Sequence, residues 1–124
     1  MRTAISGERL SERDFERQVL ELAALTGWRT AHFRPAKTSK GWRTPVSGDG
    51  AGFPDLVLVR PPVVLFVELK SATGRTSSGQ EAWLEALGRC ERIEAKLWRP
   101  QDFEEIQAML CKRTRQRGEA ERGA

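Results

Sequence analysis

The chain has 124 residues, 39% of them hydrophobic and 31% charged, and a formal net charge of +4. That is the size of one domain, and no apolar run approaches the roughly 20 residues that cross a bilayer. Two cysteines (Cys90, Cys111) and one histidine (His32) are too few for a disulfide scaffold or a four-ligand zinc site, and the first residues lack an apolar signal core, so a cytoplasmic protein is expected.

Residues 1–10 read as a loose leader. Residues 11–26 read as a helix: Ser11 can cap it with Asp14 three residues on, Phe15, Val19, Leu22 and Ala23 share a face, and Gly27 ends it. Residues 28–34 form a strand. Residues 35–52 have almost no aliphatic side chains and read as a long loop, of the kind that is often functional. Residues 55–59 and 63–67 are the clearest strands, joined through Arg60-Pro61-Pro62. Both are apolar on both faces, as in a sheet covered on two sides. Residues 77–92 form a second helix with an inward stripe of Trp83, Leu84, Leu87 and Cys90. Residues 95–99 make a short strand, and residues 102–110 a third helix with Phe103, Ile106 and Leu110 inward. The expected order is α-β-β-β-α-β-α. Beyond Cys111 the chain is polar and expected to be disordered.

Three carboxylates are out of place in this pattern. Glu68 shares a strand face with Val64, Phe66 and Lys70, because side chains alternate. A charge at the end of a buried face is unfavourable unless it is paired. A turn centred between Pro61 and Pro62 places Val57 opposite Phe66 and Asp55 opposite Glu68. Directly opposed side chains have Cβ atoms about 4.5–5.5 Å apart, so two like charges there repel. A divalent cation between them removes the conflict, and oxygen-only ligation suits Mg²⁺. Glu16, finally, lies inside the apolar arc of the first helix. A blander explanation remains open for each residue: Glu68 and Lys70 as a surface ion pair, Asp55 as a turn residue after Pro54, and Glu16 as a side chain that snorkels out to water. The convergence of all three carboxylates and a lysine on one end of one hairpin favours a site.

Gly52-Phe53-Pro54-Asp55 followed by Glu68-Leu69-Lys70 resembles the core of the PD-(D/E)xK nucleases. The helix carrying Glu16 before it, and Ser77-Ser78-Gly79-Gln80 after it, are similar to the VRR-NUC branch of that superfamily. The resemblance covers about residues 11–110. It implies a restriction-endonuclease-like α/β fold, a mixed sheet flanked by helices, spanning residues 11–111 between the leader and a basic tail at 112–124. It also implies Mg²⁺- or Mn²⁺-dependent phosphodiester hydrolysis, in a stand-alone domain of the phage and bacterial type. By the same resemblance Asp55 and Glu68 match the metal ligands, with the Leu69 carbonyl as a further one. Lys70 matches the catalytic lysine, Glu16 the helical glutamate that ligates or orients through water, and Gln80 the glutamine of the following helix. The long basic stretch before Gly52 departs from the family pattern. Gln80 has a second explanation, as the reciprocal partner of Ser77 in a capping box. His32 reads as a strand residue near the site rather than a ligand, Cys90 as core and Cys111 as a helix-end residue.

Of the +4 charge, +3 falls on residues 112–124, which leaves +1 for residues 1–111. A nucleic-acid surface on the folded part is therefore local. Arg34, Lys37, Lys40 and Arg43 lie within ten residues without an acid, and Trp42 adjoins them. A basic loop with an aromatic can grip phosphates and stack on an unpaired base; a merely solvated loop is the alternative. Nothing in it reads base edges, so structure or backbone rather than sequence is the expected object of recognition. The functional expectation is an endonuclease acting on branched, Holliday-junction-like DNA. Two coordinated nicks there need a symmetric homodimer. The alternatives are a non-catalytic nucleic-acid- or partner-binding protein that keeps the fold and, more weakly, a sequence-specific restriction enzyme.

Overall fold

The computed structural model describes residues 10–33, 36–39, 41–43 and 47–112. The leader through residue 9 and the tail from residue 113 lie outside the described residues. Leu10, at the leader's end, packs against the core.

The first helix, α1 (Glu12–Leu25), begins as its sequence dictates: the Ser11 hydroxyl accepts from the Asp14 amide at 3.0 Å. Its four-residue spacing buries Phe15, Val19 and Ala23 completely. The chain then leaves through Gly27 at φ +89°, a left-handed conformation that glycine takes without strain. Strand β1 (Arg29–His32) follows, then β2 (Ala36–Thr38), β3 (Gly41–Arg43), β4 (Leu56–Arg60) and β5 (Val63–Leu69). Helix α2 (Ser78–Gly88), β6 (Glu94–Trp98), a 3₁₀ turn (Pro100–Asp102) and α3 (Phe103–Cys111) complete the chain. No helix among the described residues is long and apolar enough to cross a membrane.

Four strands form one mixed sheet in the order β1-β4-β5-β6. The first two pairings are antiparallel and the last is parallel. A parallel pair needs a crossover, which α2 provides. One sheet face carries Leu56, Leu58, Leu65, Val67, Leu69 and Trp98, which form one sealed core with α1 and with Ile106 and Leu110 of α3. Arg60 ties this side together. Its guanidinium donates to the Thr26 carbonyl at 2.7 Å and to the Leu110 and Lys112 carbonyls, and it lies 4.6 Å from the centroid of the Trp28 ring.

Four expectations change. The stretch 35–52 is not all loop, because β2 and β3 pair as a small antiparallel hairpin. Three-residue strands pair main chain without an aliphatic face, so hydrophobic alternation does not betray them; Gly41 at φ +99° starts the return strand. The element order thus gains two strands. The central hairpin is sealed on one face only: Val57, Val59, Val64 and Phe66 are half-buried, since α2 packs on the β6 side of the second face. The second helix stops at Gly88, and Cys90 is exposed rather than core. The polar run after Gly88 has nothing to bury, and Arg92, at φ +71°, turns the chain toward β6.

Candidate active site

The β4–β5 ladder places Leu56 opposite Val67, Val57 opposite Phe66 and Arg60 opposite Val63. This is the register that a turn at Pro61-Pro62 dictates. The ladder ends at Leu56, and Asp55 lies just beyond it. Its main-chain oxygen accepts from the Phe33 amide at 2.8 Å, and its Oδ1 accepts from the Leu69 amide at 3.3 Å. Glu68, still on β5, is only 3% exposed. Its Oε2 accepts from Gln80 Nε2 at 2.7 Å and lies 3.9 Å from Lys70 Nζ. Its Oε1 is buried without a hydrogen-bond partner.

These surroundings oppose ionisation. Burial above all lifts the Asp55 carboxyl to about 7; the bond from the Leu69 amide acts against this, and the negative charges of Glu12 and Glu16 add to it. Burial, and next the charge of Asp55, push Glu68 up to about 8, with Lys70 acting against them. Two carboxyls held near each other in a poorly hydrated place, one with an orphaned oxygen, form an oxygen-donor site whose negative charge Lys70 offsets only in part. Among the described residues no group of three or more His, Cys, Asp or Glu side chains is arranged to hold a metal. The Asp55–Glu68 pair supplies the one or two carboxylates that a hard ion such as Mg²⁺ commonly takes beside water.

Glu16 lies on α1 facing β1, and its Oε2 is 2.5 Å from His32 Nε2. His32 is paired with Leu56, the neighbour of Asp55. The histidine is thus a strand residue beside the site that holds Glu16 rather than a member of the carboxylate pair. Glu12 was not singled out from the sequence, yet its charge acts on both Asp55 and Glu68. The signal was present in its position one turn before Glu16, on the same helix face.

Gln80 caps its helix and also touches Glu68. Its Oε1 accepts from the Ser77 amide at 2.8 Å while its own amide donates to Ser77 Oγ at 3.1 Å, completing a capping box. Its Nε2 remains free to donate to Glu68. The cap therefore fixes the rotamer that reaches the carboxylate. The distance between α2 and Asp55 is set by two glycines. A Cβ on Gly52 would stand 2.4 Å from the Gly79 carbonyl carbon and 2.6 Å from the Gln80 nitrogen. Gly52 also has φ +88°. On the other flank, the Lys70 amide donates to the Trp98 carbonyl at 3.0 Å. Arg99, not marked by any sequence signal, donates to the carbonyls of Ser71 at 2.8 Å and Gly74 at 2.7 Å, and so fixes the segment between Lys70 and α2.

The basic stretch is less fully placed. Lys37 on β2 pairs with Trp42 on β3, next to Arg43. Arg34 and Lys40 lie outside the described residues, as do the side chains of Lys37, Trp42 and Arg43.

The family model for the VRR-NUC domain matches residues 13–102, from the first turn of α1 to the 3₁₀ turn before α3. A comparison with curated proteins returns no match.

Proposed function

The chain belongs to the VRR-NUC domain family, a nuclease family with a PD-(D/E)xK-like fold, and from that premise we propose that it is a Mg²⁺- or Mn²⁺-dependent endonuclease acting on branched or otherwise structured DNA. The observation that carries the proposal is the Asp55–Glu68 pair: two carboxyls raised to about 7 and about 8, with one buried oxygen unpartnered. A non-catalytic relative gains nothing from keeping such a pair together.

Asp55, Glu68 and the Leu69 carbonyl would hold the cation, whose charge would neutralise phosphoryl oxygens and make a bound water more acidic. The protein's own groups do the positioning. Gln80 fixes one oxygen of Glu68 through a hydrogen bond, which leaves the orphaned Oε1 as the free donor. Lys70, close to Glu68 and partly exposed, orients the attacking water and offsets negative charge that builds on the phosphorus centre. Glu16, held by His32, orients solvent from the α1 side. No serine, cysteine or histidine nucleophile is needed.

The substrate class rests on the basic stretch with its tryptophan, whose sequence offers no pattern for reading base edges. Arg34, Lys37, Lys40 and Arg43 grip phosphates, and Trp42 stacks on an unpaired base. A four-way junction requires two cuts, hence a symmetric homodimer. The test is a cleavage panel of duplex, flap, splayed-arm and four-way-junction DNA with Mg²⁺, Mn²⁺ or a chelator. Metal-dependent cutting of branched substrates in preference to plain duplex is the expected result. Equal cutting of every DNA removes the structural specificity, and no cutting of any of them removes the nuclease.

A further inference from the structure

Four aromatic side chains lie on the segments that carry or adjoin Asp55, Glu68 and Gln80, and the metal and water chemistry proposed for the pair uses none of them. Phe53 is their hub. Its ring meets Phe33 at 5.9 Å, Phe66 at 6.0 Å and Trp83 at 5.0 Å between centroids, each edge to face. Strand alternation puts Phe66 on the same sheet face as Glu68, the face that α2 leaves partly open. None of the four rings is fully buried, and Phe33 is 39% exposed, one of two large hydrophobic side chains exposed among the described residues.

Each ring is tied to the site by a short path. The Phe33 amide donates to the Asp55 carbonyl, Phe53 precedes Asp55 by two residues, Phe66 precedes Glu68 by two, and Trp83 follows Gln80 by three. The indole N–H of Trp83 donates to the Asp49 carbonyl at 3.0 Å, which pins that ring. A half-exposed aromatic surface is unfavourable in water. Here the rings pack on one another and sit on the segments that place Asp55 and Glu68.

We propose that this cluster is a stacking site for an unpaired nucleobase of the DNA strand bound at Asp55 and Glu68, with Phe33 as its exposed contact; the proposal rests on the nuclease function proposed above. A base in a duplex already has both faces covered. A base released at a branch or in a single-stranded arm does not, and an aromatic ring accepts any of the four. The cluster thereby favours DNA that carries unpaired nucleotides next to the cut. A second copy of this chain is a poorer occupant, because a subunit seated there would crowd the approach to the carboxylates.

The experiment measures binding in a chelator-containing buffer, where no cutting occurs. The probes are a splayed-arm DNA, the same DNA with single bases near the branch replaced one at a time by abasic sugars, and a paired duplex of equal length. At one position, removal of the base weakens wild-type binding by roughly 5- to 150-fold, the span of one base–aromatic contact. Phe33→Ala loses affinity for the splayed-arm DNA and no longer responds to that abasic position, whereas Phe33→Trp restores the response. Duplex binding is the same in all three proteins. A wild type indifferent to every abasic position, or a Phe33→Ala variant with an undiminished response, overturns the stacking site. So does sedimentation showing that Phe33→Ala turns a dimer into a monomer, which makes the cluster a subunit contact. A parallel cleavage assay with Mg²⁺ separates the two ideas: cutting without an abasic effect removes only the stacking site, and a Phe33-dependent abasic effect without cutting removes only the nuclease.

Discussion

Glu68→Gln keeps the length of the side chain and an oxygen for Gln80 to donate to, but deletes a buried carboxyl. Glu68 is raised from an ordinary 4.5 to about 8 by the fold. Within that window the folded protein keeps a proton that the unfolded chain has released. Stability from this group is therefore full below pH 4.5 and is lost as the pH rises through 8. Each pH unit inside the window carries about 1.4 kcal/mol, so going from pH 5 to pH 8 costs metal-free wild type about 3–4 kcal/mol from Glu68 as an upper limit. Asp55, raised from 3.8 to about 7, titrates in an overlapping range. The single variant thus keeps part of the slope, and the double variant with Asp55→Asn is flat. The assay is thermal unfolding by circular dichroism in chelator at pH 5, 6, 7 and 8. At several degrees per kcal/mol for a domain of this size, wild type falls on the order of 10 °C across the series, and Glu68→Gln overtakes it at pH 8. Excess Mg²⁺ at pH 8 restores wild type and leaves the variant unchanged. Equal wild-type stability at pH 5 and pH 8 in chelator, or a variant less stable than wild type at pH 8, would refute the electrostatic argument.

Gly52→Ala strains a backbone at φ +88° and drives a Cβ into the start of α2; a loss on the order of 3–5 kcal/mol is expected by chemical denaturation, and a loss under 1 kcal/mol would contradict the close approach. Replacing Lys37, Lys40 and Arg43 together with alanine should lower the slope of log affinity against log salt by about 0.9 for each lost phosphate contact on duplex DNA. Unchanged slopes remove the stretch from binding and turn suspicion to the basic tail. Sedimentation of the protein with four-way-junction DNA should show two copies per junction; a single copy together with paired nicks would contradict the homodimer.

How far the sequence reached depended on the kind of interaction. The central hairpin was legible to the residue because no bulge interrupts the ladder between Leu56 and Arg60, so the turn alone set the register. The α1 start was legible because a cap is a local contact. Gln80 looked ambiguous only because capping and a contact to Glu68 seemed to compete; the two ends of one amide satisfy both. What stayed hidden depends on tertiary approach. The fit of Gly52 against Gly79, and the grip of Arg99 on the segment after Lys70, join parts of the chain that are far apart in sequence. Cys90 fell on the extrapolated stripe of a helix that ends earlier. The β2–β3 hairpin escaped notice because it has no aliphatic face to signal it.

Whether Asp55 and Glu68 hold the metal for phosphodiester hydrolysis is read out by cleavage of branched DNA by Asp55→Asn and Glu68→Gln beside wild type. Wild type should cut with Mg²⁺ or Mn²⁺ and stop in chelator. Each variant should bind the DNA as wild type does in chelator and cut it at no detectable rate with either metal. Full Mg²⁺-dependent cleavage by either variant would contradict the assignment.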